Sequence, residues 1–220
     1  MKRIAYCHPG SWTMLGLLLL GATQVLRLEA AAARYPQSGI SLEFIGQGLV
    51  VSPAEVYQYG YFTYVAGVED LFGGAPENES TAFFTFFNEL STSRVTDNGP
   101  VRVVDRQGSA TIYLNPAAGA SYTDPDSFQA GTPILTADLR HQAILDTANG
   151  NTLVVHFDLT IVSAAPFTTA AGERRLGKPG QKLSWTAFGR PTPTPNPGQF
   201  VYAGTGLIHP PVAPGLSIGR

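Results

Sequence analysis

Between residues 132 and 163 the chain alternates apolar and polar positions on both sides of a turn-forming run, Asp146-Thr-Ala-Asn-Gly-Asn151. On the far side, Leu153, Val155, Phe157, Leu159 and Ile161 share one face, with Thr152, His156, Asp158 and Thr160 on the other. A period of two marks a half-buried strand, and Asn149-Gly150 supplies the positive φ angles of a tight connection. The near side also alternates: Leu135, Ala137, Leu139, Ala143 and Leu145 share a face, with His141 among them.

Register decides where the ionisable residues of this hairpin point. A two-residue loop at Asn149-Gly150 opposes His141 to Asp158 and Ala143 to His156. That would gather two histidines and a carboxylate on one face, a set suited to proton transfer. It would also set the apolar face of one arm against the polar face of the other, since opposed residues share a face. A loop of three or five residues matches the apolar faces instead. A slip carries every side chain to the wrong side of the sheet, so the buried face selects the register. The sequence therefore predicts His141 on the apolar face, with His156 and Asp158 opposite it.

Other stretches read the same way. Residues 40–51 form a strand that Gly46 and Gly48 bend, and residues 56–65 form a strand with Tyr57, Tyr59 and Tyr61 on one face. Residues 81–90 place Phe83 and Phe87 on one face, Phe84 and Phe86 on the other, as in a strand covered on both sides. Residues 101–105 and 109–114 read as a shorter pair around Gln107-Gly108. Residues 115–131, rich in Pro, Gly, Ser and Asp, form the longest irregular stretch, and such loops are functional or mobile. Residues 171–182 are basic and turn-rich, 183–188 and 199–208 are strands, and the alternating prolines of 191–198 favour an extended loop. No helical periodicity or fixed repeat emerges. The pattern predicts an all-β fold, a single antiparallel β-barrel of about 8–10 strands, largely up-and-down, with a two-sheet sandwich as the alternative.

Composition adds a destination. Lys2 and Arg3, the apolar run from Met14 to Leu20 and Ala30-Ala-Ala-Ala33 follow the layout of a secretory signal peptide. Gln24, Arg27 and Glu29 interrupt the run before the ~20 residues a membrane span requires. The expected division is signal peptide 1–33, β-barrel domain 34–209 and disordered tail 210–220, the product being secreted or extracytoplasmic. Removing 1–33 deletes Lys2, Arg3, Arg27, Glu29 and the sole cysteine, Cys7, leaving 11 basic against 15 acidic residues. Such a chain must be held by its core rather than by disulfides, and its charge argues against nucleic acid as a partner. No membrane span is expected in the mature chain.

Catalytic signatures are missing: the chain has no G-x-S-x-G, no H-E-x-x-H and no P-loop. No cofactor and no metal site is expected. Asp124 and Asp126, with Ser121 and Asp105, are the only oxygen set to consider for calcium, and read better as turn formers. The ligand-binding candidates are Tyr57, Tyr59 and Tyr61, amphipathic rings suited to a wet mouth, and His141. His141 is also the one candidate acid/base, read first as a buried neutral ring. Function is thus expected to be binding of a small apolar or sugar-like ligand through an aromatic-lined mouth. The alternatives are an isomerase or cyclase using His141, and a surface or matrix protein-interaction domain.

Overall fold

The structure is a computed structural model that describes residues 39–192 and 199–210. The predicted signal segment, most of the extended proline loop and all of the predicted tail but Pro210 lie outside the described residues. The strands are β1 (Ile40–Ser52), β2 (Glu55–Val65), β3 (Phe84–Asn98), β4 (Val101–Leu114), β5 (Thr132–Asp146), β6 (Thr152–Ala164), β7 (Phe167–Thr169), β8 (Gly172–Arg174), β9 (Lys182–Pro191) and β10 (Gln199–Ile208). Eight of them close into an antiparallel barrel, β1 to β6 followed by β9 and β10, with β10 pairing back onto β1. β7 and β8 form a separate two-stranded sheet within the β6–β9 connection. Closure leaves the eight-stranded ring itself without an edge for another chain to extend.

The central hairpin takes the register chosen by its apolar faces. Leu139 opposes Leu159, His141 opposes Phe157 and Asp146 opposes Thr152, so residues 147–151 form a five-residue loop. Gly150 and Asn151 both have positive φ there. Leu139, His141, Ala143, Phe157 and Leu159 are all buried.

One predicted turn is absent. Residues 101–114 form a single strand that runs through Gln107-Gly108, and its partner is the full length of β3, joined to it by a turn at 99–100. Gly108 serves packing rather than turning. A Cβ there would lie 1.8 Å from the carbonyl oxygen of Glu89 on the neighbouring strand. Turn-like composition and close backbone approach call for the same residue.

Inward positions fill the lumen with rings. Phe44, Phe62, Phe86, Phe157 and Trp185 are each at most 1% exposed and meet mostly edge-to-face at 5.1–6.5 Å. Space for Trp185 comes from its cross-strand partner Gly206, where a Cβ would fall 2.1 Å from the indole. The two ends of the barrel differ. Residues 66–83, 115–131 and 165–181 connect strands at one end, where Val65, Val68, Leu71, Phe167 and Leu176 are buried as a plug. The other end carries shorter connections, at 53–54, 99–100, 147–151 and 192–198.

The long 115–131 segment folds onto the outer wall. Its 3-10 turn, Pro125–Gln129, buries Phe128, and Thr85 Oγ1 on β3 donates to the Phe128 carbonyl at 2.7 Å. The middle of β2 and β3 is therefore covered on both faces, as the aromatics of residues 81–90 required.

Candidate functional site

Alternation along β2 separates the four residues that the sequence grouped as a ligand site. Val56, Gln58, Gly60 and Phe62 face the lumen, so Tyr57, Tyr59 and Tyr61 face outward. They do not line a mouth. Tyr59 lies stacked on Phe87 at 6.1 Å and packs on Phe128 at 5.2 Å, beneath the 115–131 segment. Tyr61 meets Phe72 edge-on, and the Tyr57 hydroxyl donates to the Glu55 carboxylate at 3.0 Å. Tyr57, Tyr59, Phe87, Phe128 and Tyr122 belong to a second small core on the barrel exterior, and Tyr61 lies beside Tyr122. Burial raises the phenol pKa of Tyr59, Tyr61 and Tyr122. His141 lies on the other side of the wall.

Inside, His141 belongs to a group the sequence did not bring together. Gln58 on β2 and Asn88 on β3 are directly opposed inward residues, and so are Arg106 on β4 and His141 on β5. Gln58 Nε2 and His141 Nε2 are 3.0 Å apart across the lumen. The amide N–H donates, which leaves the ring proton on Nδ1. Gln58 and Asn88 are 0% exposed and His141 1%. Although buried, Gln58 Oε1, both amide atoms of Asn88, Arg106 Nε and His141 Nδ1 have no hydrogen-bond partner. Buried polar groups in folded proteins are nearly always paired, because each unpaired one costs about 1–3 kcal/mol. A cluster of such atoms around one cation is a site-like arrangement.

The electrostatics are one-sided. Burial, and then the nearby Arg106 charge, depress the His141 pKa to about 3. Burial lowers that of Arg106 to about 10, so the guanidinium stays charged at neutral pH. Glu89, Asp105, Asp138 and Asp158 are all on the outer face by alternation. Among the described residues Arg106 takes part in no ion pair. A neutral His141 of such low basicity suits hydrogen-bond donation through Nδ1 better than proton abstraction.

This depression gives the barrel a signed pH dependence. Below about pH 6.5 the unfolded chain takes up a proton on His141 that the folded barrel refuses. Stability is therefore expected to fall as pH drops from about 6.5 toward 3, by roughly 1.4 kcal/mol per unit at most. Urea midpoints at about pH 7, 6 and 5 would show it, above the range where carboxylates titrate. His141→Gln should flatten the slope, and an unchanged slope would contradict the assignment.

The outer wall carries an open groove of about 1830 Å³ whose lining includes Arg94, Asp105, Arg140, Asp158, Lys182 and Ser184. Its polar groups are largely partnered. Asp105 accepts from Gln142 at 2.9 Å and from Arg94 at 2.6 and 2.8 Å, and these bonds hold its pKa below the usual carboxylate value. Asp105 is thereby engaged apart from Asp124, which sits at the N-cap position of the 3-10 turn without a side-chain cap bond. At the groove Asp158 contacts His156, which lies outside the lining, at 3.2 Å, and Ser184 Oγ lies 2.9 Å from His209 Nε2. The alternative grouping of His141 with His156 and Asp158 does not form. Among the described residues no group of three or more His, Cys, Asp or Glu is arranged to hold a metal ion. No described helix is long and apolar enough to cross a membrane.

No family model matches the chain, and no curated protein or solved structure shows significant similarity to it. The functional reading therefore rests on the lumen itself.

Proposed function

We propose that the protein is an exported β-barrel that binds a small organic ligand in the short-loop half of its lumen. Gln58, Asn88, Arg106 and His141 are its polar contacts. The observation that carries this reading is the set of unpartnered polar atoms on four converging side chains. Ligand pockets combine an apolar lining with a few such groups. Here the lining is aliphatic and aromatic: Val56, Leu90, Val104, Ala143 and Leu153 are inward residues between the cluster and the short-loop end. Leu145 and Phe200, only partly buried, mark the rim. The tyrosine stripe has a different part in this reading. It fastens the 115–131 segment to the outer wall and stiffens the strands that carry Gln58 and Asn88.

The experiment is an NMR screen of a small-molecule fragment library against the isotope-labelled full chain. Binders are expected to shift the side-chain amide signals of Gln58 and Asn88 and the His141 ring resonances. Hits that move only Arg140, Asp158 and Lys182 would place binding in the outer groove and defeat the proposal. A library with no hits at either place would do the same.

A further inference from the structure

The lumen site is built for one sign of charge. We infer that its ligand is a small monocarboxylate, with the carboxylate on Arg106, Asn88 and His141 and an apolar body directed toward the short-loop rim. This inference rests on the lumen-binding reading and names its ligand class.

The first argument is the cation. Arg106 is half-buried and also borders the outer groove, but its Nε–H is out of water, which is unfavourable without an opposite charge. The pairing is available elsewhere in this wall. On the outer face Asp105 engages Arg94, and at the barrel end Asp97 engages Arg102 at 2.6 Å. Arg106, next to Asp105 in sequence, has the opposite orientation and no acid on its face. Its Nε–H is buried and unpartnered.

The second argument is the set of donors. With Gln58 donating to His141 Nε2, the buried His141 Nδ1–H is free to donate, as are the Asn88 amide protons. Three unpartnered donor atoms, Arg106 Nε, His141 Nδ1 and Asn88 Nδ2, face two unpartnered acceptor atoms, Gln58 Oε1 and Asn88 Oδ1. A carboxylate offers only acceptors, with about four lone-pair positions, and bonds most strongly to a guanidinium. An amine would place a second cation beside Arg106. An alcohol would leave the charge unmet.

The third argument is the direction of the apolar body. Toward the long-loop end, Phe44, Phe62, Phe86 and Trp185 fill the lumen. Toward the short loops, Val104 and Ala143 follow Arg106 and His141 on their own strands, with Leu145 beyond at the rim. An alkyl or aryl tail therefore points outward along that path.

The test compares octanoate with octan-1-ol, monitored by the Gln58, Asn88 and His141 signals and by calorimetry, on the full chain. Octanoate is expected to bind at least about tenfold more tightly than the alcohol, the equivalent of one charge-assisted hydrogen bond. Arg106→Leu should abolish that preference while leaving melting temperature unchanged or higher, since an apolar replacement relieves an unpaired, half-buried charge. Arg106→Lys should restore part of it. Equal binding of both probes in the lumen would overturn the carboxylate assignment yet uphold lumen binding. Preference for the alcohol, or for octylamine, would also overturn it. If neither octanoate nor any library fragment reaches the lumen signals, the binding reading fails as a whole. A marked loss of stability in Arg106→Leu would make Arg106 a structural residue and refute the inference.

Discussion

Phe157→Ala is expected to destabilise the barrel by about 3–5 kcal/mol, the range for truncating a fully buried phenylalanine. The side chain is 0% exposed and lies among Phe44 at 6.4 Å, Trp185 at 5.7 Å, Tyr202 at 6.3 Å and the His141 ring at 5.0 Å. None of these large rings can collapse into the vacated volume without leaving its own contacts, so most of a cavity would remain. Chemical denaturation monitored by near-UV circular dichroism would measure the loss. Val154 provides the contrast: it points outward and is 45% exposed, and its alanine variant should change stability by less than about 0.5 kcal/mol. A loss below about 1 kcal/mol for Phe157→Ala would show that the lumen is loosely filled.

Gly108→Ala is expected to cost about 3 kcal/mol or more, although it adds a single methyl group at a solvent-reached position. The added carbon would meet the Glu89 carbonyl oxygen at 1.8 Å, its carbon at 2.9 Å and the Leu90 Cα at 3.1 Å. All three are backbone atoms of β3, so no side chain can swing aside. Relief requires β3 and β4 to separate where they carry Asn88 and Arg106, and the lumen site should loosen with them. Thermal unfolding checks the stability, and the Asn88 amide signal reports on the site. A Tm within about a degree of the parent would mean that the strands move apart easily.

Much of this architecture was legible in the sequence because burial leaves a period-two record. The 132–163 hairpin could be registered from its apolar faces alone, since only one pairing buries Leu139 against Leu159 and hides His141. The ends of the last strand, at 199 and 208, are marked by prolines on both sides. Gly108 misled for a physical reason: its residue type fits a turn and a tight strand approach equally well. The site was only partly legible. His141 stood out as a polar residue on an apolar face, whereas Gln58 sat unnoticed between tyrosines. The tyrosines suggested an aromatic face, yet alternation assigns the lumen to their neighbours. Gln58 and Phe62 flank Gly60 on one face, and reading that face as the buried one would have found Gln58. Arg106 and Asn88 join the cluster only through cross-strand register, which no local pattern contains.

The closed ring of strands also has an unequal history built into it. Every neighbouring pair but two joins consecutive strands through a modest connection, and the β6–β9 pair spans only the small β7–β8 insert. The β1–β10 pair alone unites the far ends of the fold, Ile40 with Ile208. Bringing such distant segments together carries the largest loop-closure entropy, which favours zipping the meander first and sealing this seam last. Until the seam seals, Phe44 on β1 and Tyr202 on β10 have no shared interior to fill. In the finished barrel the same seam brings the first and last strands side by side. Their ends could be linked and new termini opened at residues 147–151, giving a circularly permuted chain with every pairing of the ring preserved.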